Sequence, residues 1–268
     1  MKIFKKIYLK KKFNDTKEIV DVKNTISLFK KNKNKNLYFL IKKRFEWMNS
    51  FIGRGKKGLE VGAGAGFSKI FTKNKSILVS DFSNDTHLDI KNLDAQNTKL
   101  KGKSFDYIIA ANMIHHLPYP MKFFKEMNRI LKKNGKLIIF EPNCSILLQI
   151  IMLITRHEEI DFTKNVWNSK NSCINNNHPW NGNNAIPDLI FDNKIKFKKN
   201  FKKNFKIIYE DFSECFTFIN SGGVYSKNFY IPLNNFLLNS IFVIENLLIK
   251  IFPKIFALGR KIVLVKTN

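Results

Sequence analysis

The stretch GLEVGAGAGFSKIF (residues 58–71) sets an acid, Glu60, in an apolar run and then alternates glycine with alanine. GLEV has the length and composition of a short buried strand, and SKIF falls in the helix after it. A glycine-rich turn between such a strand and helix lets the backbone approach a ligand closely, because glycine adopts dihedrals closed to other residues. Three ligand classes compete for the turn. A phosphate loop requires GxxxxGK followed by Ser or Thr, and these glycines have no such sequel. A dinucleotide fold calls for GxGxxG, yet position 67 is Phe and the third glycine is Gly66, which makes a pyrophosphate the weaker alternative. The third class is a nucleoside without phosphates, whose ammonium group a carboxylate at the loop would meet rather than repel.

Outward from this turn the chain alternates short apolar runs with helical patterns, as an α/β domain does. SILVS (76–80) reads as the second strand and ends at Asp81, 19 residues beyond Gly62, where its two oxygens suit a pair of ribose hydroxyls. Asp94 precedes the next strand, FDYIIAA (105–111), and is placed to accept from an exocyclic amine. A loop carrying His115 and His116 follows, then an amphipathic helix over 120–135 with Gly135 as its terminus, then the strand KLIIF (136–140), which runs into Glu141. Strands apolar on both faces imply a mostly parallel sheet covered by helices. Ligands of such sheets bind beyond the carboxyl ends of the strands, where Glu60, Asp81, Asn112 and Glu141 fall.

The flanking regions are less regular. Residues 1–50 read as a lead-in element, helix-compatible over 17–50, that packs on a main domain at 51–268. Within that domain, 142–204 breaks the alternation and is expected to form a lid or acceptor-binding insertion over the strand ends. Phe197 and Phe201 mark one apolar helical face there. FKIIYEDF (205–212) and RKIVLVK (260–266) read as returning strands. Between them, 234–259 is apolar at helical spacing and broken at Pro253; burial against the sheet is expected, with membrane-surface contact as the alternative.

The formal net charge is +26. Its lysines occur with asparagine, as in KKNKNKN (30–36), and lack the arginine forks and interleaved aromatics of a phosphate-backbone site, so nucleic acid is disfavoured as a partner. Lysine charge acts near an anionic membrane without special geometry, so peripheral membrane contact is the stronger expectation from charge. Cys144, Cys173 and Cys215 form no paired spacing and suit free thiols in a reducing, cytoplasmic setting. The start, MKIFKKIYLKKKF, carries charges inside what would be the apolar segment of a signal peptide. The 11-residue run CSILLQIIMLI (144–154) is too short to span a bilayer.

These residues together resemble the class I S-adenosylmethionine-dependent methyltransferases, of the type 11 kind. LEVGAGAG resembles their first motif, VSDFS their second-strand acidic motif, and LDAQNTKL onward through IIFEPN their fourth and fifth strands. The resemblance, strongest over residues 50–143, implies a Rossmann-like seven-stranded sheet of order 3-2-1-4-5-7-6, strand 7 antiparallel, with helices on both faces. It implies S-adenosyl-L-methionine as cofactor, with Gly62, Ala63, Gly64 and Gly66 as the backbone cradle and Glu60 near the amino group. It further implies Asp81 on the ribose, Asp94 and Ala95 on the adenine side, and Asn112 beside the cofactor. The common Leu-Pro-Phe after Asp94 is replaced by Thr98-Lys99-Leu100. A narrower resemblance, in FEPNCSILLQIIMLITRHEEID, NNAIPDLIFD and FTFINSGGVYSKNFYIP, is to a subgroup associated with bacterial surface-polysaccharide biosynthesis; it implies a sugar or nucleotide-linked sugar acceptor.

Methyl transfer from a sulfonium is an in-line substitution, so positioning supplies much of the acceleration and a base is needed only for a hydroxyl or protonated amine. His115, His116, Glu141, His157 and Glu158 are the candidates to surround the acceptor, one histidine acting as base. No metal is expected: His157-Glu158 lacks the second histidine of HExxH, and the five histidines show no cysteine-rich ligand spacing. SGG (221–223) lacks a GxSxG context and reads as a structural turn. RNA or another small molecule as acceptor, an NAD-linked oxidoreductase and a noncatalytic nucleoside-binding scaffold are the competing functions.

Overall fold

The computed structural model of the chain describes residues 2–8, 22–31, 34–174, 181–224 and 228–268. His178 and parts of the expected 17–50 helix and of the asparagine-rich loop lie outside the described residues. The elements run β1 (Lys6–Ile7), α1 (Val22–Lys30), α2 (Lys35–Met48), β2 (Gly58–Val61), α3 (Ser68–Phe71), β3 (Leu78–Ser80) and β4 (Phe105–Ala111). A 3₁₀ turn (Ile114–His116), α4 (Pro120–Ile130), β5 (Leu131–Pro142), α5 (Ile146–Thr155), β6 (Ile160–Asp161), α6 (Ala185–Phe191) and α7 (Lys194–Phe201) follow. The chain closes with β7 (Phe205–Ser213), α8 (Phe216–Ile219), α9 (Asn235–Ile251), α10 (Pro253–Phe256) and β8 (Gly259–Lys266).

Six strands form one sheet in the order β3-β2-β4-β5-β8-β7, parallel from β3 to β5, with β8 antiparallel to both neighbours. This is the expected α/β sheet and order. At the outer edge the seventh position is represented by Ile90, a single parallel bridge to Ser80. The segment there is polar, and the Asp89 carboxylate rather than a backbone carbonyl takes the Val79 N–H at 2.8 Å.

Alternate residues of each strand feed two apolar layers. Ile108, Ala110, Leu137 and Ile139 face Phe123, Phe124 and Met127 of α4, with Phe191, Phe197 and Phe201 from α6 and α7 completing that layer. Tyr107, Ile109, Ile138 and Val263 face the other way, onto Phe29 of α1 and Leu40, Phe45 and Met48 of α2. A buried bidentate pair, Arg44 to Glu214 at 2.6 and 2.7 Å, ties α2 to the end of β7.

Two expectations change. The helix over 120–135 stops at Ile130, because Leu131 turns extended and pairs with Phe105; Gly135 lies inside β5. The helix end is satisfied by a lysine, Lys266 Nζ donating to the carbonyls of Asn128 and Leu131 at 2.6 and 2.8 Å. The second change is α9, which meets β7 and α8 on one side but buries only Leu238, Glu245 and Ile249; its other side is open. SGG does form a turn, with Gly222 and Gly223 both at positive φ.

Residues 142–204 supply α5, β6, α6 and α7. β6 pairs with β1 from the N-terminus, and α6 is held to β8 through Asp188 and Asp192 on the buried Arg260. These contacts tie residues 142–204 to the N-terminal segment and to β8.

Candidate active site

The glycine turn after β2 is fixed from the next strand. Ser80 carbonyl accepts from Ala63 N–H at 3.0 Å, and Asp81 Oδ2 accepts from Gly64 N–H at 2.9 Å. Gly62, Gly64 and Gly66 all have positive φ. At Gly62 a Cβ would stand 2.7 Å from Met113 Cβ, so the turn packs directly on the residue after Asn112. His87 reaches the same turn, with Nε2 2.6 Å from the Gly64 carbonyl oxygen. Nothing in the spacing of His87 announces this contact, and sequence reasoning missed it.

Glu60 is buried beneath the turn and accepts from Ser68 Oγ at 2.5 Å. Burial pushes its carboxyl up to about 7; Ser68 opposes the rise and the Asp81 charge adds to it. A buried carboxyl satisfied by one residue lacks a countercharge, which a ligand ammonium would supply. Asp81 gives one oxygen to Gly64 and the other to Ser83 N–H at 3.1 Å, which leaves acceptor capacity on both. Asp94 closes a turn onto Gln96 N–H at 2.8 Å, with buried Ala95 between them. Thr98 N–H, in the segment that departs from the common pattern, donates to Glu126 of α4 at 2.9 Å. Asn112 holds a left-handed φ of 52° and donates its N–H to the Phe140 carbonyl at 2.7 Å. Glycine cradle, acid without countercharge and ribose-type acid therefore fit an amino-acid nucleoside.

Beside the cradle, Glu141 organises the turn after β4. It is fully buried, and Oε1 accepts from the N–H groups of Met113 and Ile114 at 2.9 and 2.7 Å. Its Oε2 meets His115 Nδ1 at 2.6 Å. The other edge of that ring, Nε2, lies 3.7 Å from Glu158 Oε2, and His116 Nε2 lies 4.0 Å from Glu158 Oε1. The two imidazoles are in contact, centroids 4.1 Å apart. Glu158 comes from the insertion, as does Gly182, where a Cβ would approach His115 Cδ2 to 2.8 Å and His116 Cε1 to 3.1 Å. Asn183 N–H donates to the His115 carbonyl at 2.8 Å, so residues 182 and 183 lie against the histidine turn.

The two histidines are driven apart electrostatically. Burial alone would lower the His115 pKa, but the charge and hydrogen bond of Glu141, helped by Glu158, raise it to about 10. Burial and the neighbouring His115 charge push His116 down to about 4. Burial works against ionising Glu158, yet the histidines around it hold its carboxyl well below the usual range. One imidazolium, one neutral imidazole and one carboxylate thus share the site. Their donor atoms, one each from His115, His116 and Glu158, lie within 4.8 Å of one another, a set able to receive a cation. His157 is exposed and interacts with the cluster through its charge.

Residues 59–139 match the methyltransferase domain family. Residues 59–139 therefore carry a methyltransferase domain, on the class I S-adenosylmethionine-dependent fold. No curated protein matches the sequence. Among solved structures, a SAM-dependent methyltransferase from Archaeoglobus fulgidus is similar at 17% identity, over 85% of this chain and 93% of that one, with a TM-score of 0.50, a likeness of fold. The YcgJ protein of Bacillus subtilis (12% identity, 84% and 97% covered, TM-score 0.44) is similar too. So is phosphoethanolamine N-methyltransferase 2 of Haemonchus contortus, solved with S-adenosyl-L-methionine (15% identity, 87% and 52% covered, TM-score 0.39). S-adenosyl-L-methionine is the cofactor of this methyltransferase, and the cradle at residues 60–66 has the chemistry to hold it.

Proposed function

We propose that this methyltransferase acts on a sugar or nucleotide-linked sugar, at a hydroxyl or amine, in the making of a surface polysaccharide in the cytoplasm. The observation that carries the proposal is the approach of Glu158, from the 142–204 insertion, to the two histidines at the end of β4. Nearby, Asn181, Asn183 and Asn184 are buried polar groups of the same segment, the Asn183 amide being engaged with Asp161, Cys173 and Ala185.

The bound cofactor supplies a methyl group on a sulfonium, open to in-line attack. Gly62, Gly64 and Gly66 let the backbone follow the cofactor, Glu60 and Asp81 hold its ammonium and ribose, Asp94 and Ala95 border the adenine, and Asn112 adjoins it. Glu141 acts through His115, which it orients and keeps charged. His116, neutral at ordinary pH, takes the acceptor's proton and Glu158 stabilises the imidazolium so formed. A base of low pKa suits late proton loss, since a hydroxyl oxygen becomes strongly acidic once carbon bonds to it.

Incubation with methyl-labelled S-adenosyl-L-methionine and a panel of nucleotide sugars, beside fractionated cell extract, tests this. Label in a sugar is the expected result; label in RNA would move the acceptor to nucleic acid, in line with the +26 charge.

A further inference from the structure

We propose that the outward face of α9, α10 and the end of α5 docks on an anionic lipid bilayer, lying in the headgroup plane. The orientation of α9 is fixed from inside. Glu245 is fully buried and accepts from the N–H groups of Cys215 and Thr217 at 3.3 and 2.9 Å and from Thr217 Oγ1 at 2.6 Å, capping α8. Ile249 packs beside it with Cys215 and Ala257, against Leu147 of α5 and Phe256 of α10, so the three helices are contiguous. This anchoring turns Phe236, Val243, Ile244, Leu247 and Ile251 outward on one helical side, 54 to 77% exposed. Ile154 at the end of α5 is 75% exposed. Apolar side chains this exposed on adjoining helices exceed the scattered surface hydrophobics of ordinary domains.

Charge selects the occupant. Glu245 is the only carboxylate between Phe229 and Phe256 in the sequence, and it is turned inward. The exposed charges on α9 and α10 are Lys250 and Lys254, and Arg156 follows directly after α5, on a chain of net charge +26. An apolar helical face flanked by cations matches an anionic membrane interface. A second copy of this chain would set those cations against their like. Among the described residues no helix is long and apolar enough to cross a membrane, so the helices lie on the bilayer. From Thr155, the last residue of α5, only Arg156 and His157 intervene before Glu158, so the docking face and the acceptor site are close neighbours along the chain.

The test is sedimentation of the full chain with vesicles of phosphatidylcholine alone or with about one third phosphatidylglycerol. The expected result is binding to the mixed vesicles, weakened about tenfold or more when Val243, Ile244, Leu247 and Ile251 are all replaced by Ser, and weakened also by Lys250→Glu with Lys254→Glu. S-adenosyl-L-methionine affinity, measured by calorimetry, stays unchanged in these variants and reports intact folding. No sedimentation of the parent, or equal sedimentation of the serine variant, overturns the proposal. So does a parent dimer that the serine variant converts to monomer in analytical ultracentrifugation, which would assign the face to a second copy.

Discussion

Glu141 Oε2 and His115 Nδ1 meet at 2.6 Å inside the protein, and the same carboxylate holds the N–H groups of Met113 and Ile114. One side chain therefore shapes the turn and sets the charge of its first histidine. Glu141→Gln places an amide N–H₂ where acceptors are required, and the expected loss is about 3 kcal/mol of stability, as when a buried pair loses one partner. The histidine's folded pKa, about 10, stands above its unfolded value, so its contribution is complete below about pH 6.5 and is lost as pH rises through about 10. Urea unfolding across that range should show the decline in the parent and a flatter profile in the variant.

His116 separates chemistry from cofactor binding. His116→Ala should lower kcat by about 10² to 10⁴-fold if it takes the acceptor's proton, while cofactor affinity holds. Because its pKa is pushed down to about 4, kcat/KM should already be level at mildly acidic pH. Steady-state rates and calorimetry on one preparation check both expectations; a kcat unchanged by the substitution would remove His116 from the chemistry.

How far the sequence could be read differs from residue to residue. The turn at residues 62–66 was legible because glycines at every second position answer to positive φ in the structure. The amphipathic pattern over 120–135 gave helix α4, but not its end, where Leu131 turns extended to pair with Phe105 and Lys266 reaches the last carbonyls from the far terminus of the chain. Glu141 was legible as a strand-end acid, whereas its work on backbone N–H groups more than 20 residues earlier leaves no trace in spacing. Helical periodicity in α9 showed which residues share a side; whether that side is covered depends on neighbours that no local pattern encodes. Arg44 and Glu214, 170 residues apart, were equally silent.

Arg44 and Glu214 form a two-point contact with both side chains nearly buried. Removing either leaves an uncompensated buried charge, so Arg44→Ala and Glu214→Ala should each cost about 3 to 5 kcal/mol. The Ala/Ala double variant should cost less than the two single losses added together, a coupling that a double-mutant cycle by denaturant unfolding measures.

Glu60 links cofactor binding to protons. Its folded pKa, raised to about 7 by burial, means that part of the population carries a proton at neutrality. A raised carboxyl pKa favours the folded state at low pH, and that advantage fades as pH rises from about 4.5 through about 7. An ammonium beside Glu60 would bind best to the carboxylate, so affinity for S-adenosyl-L-methionine should strengthen as pH rises through about 7, with proton release seen as a buffer-dependent enthalpy. Glu60→Gln should bind more weakly and without that pH dependence. A parent affinity that is level across this range would place the ammonium elsewhere.

The His115, His116 and Glu158 donors, within 4.8 Å of one another, offer the same geometry to a proton network and to a metal ion. The distinction lies in His115. A histidine whose Nδ1 faces Glu141 and whose Nε2 faces Glu158 is held protonated between two carboxylates, so a metal would have to displace the Nε2 proton to bind there. Dialysis against a chelator should accordingly leave turnover unchanged and the melting temperature within about 1 °C, with no metal found by elemental analysis of the purified protein. Loss of activity on chelation, restored by a single divalent ion and abolished in Glu158→Gln, would reassign the cluster from proton transfer to cation binding.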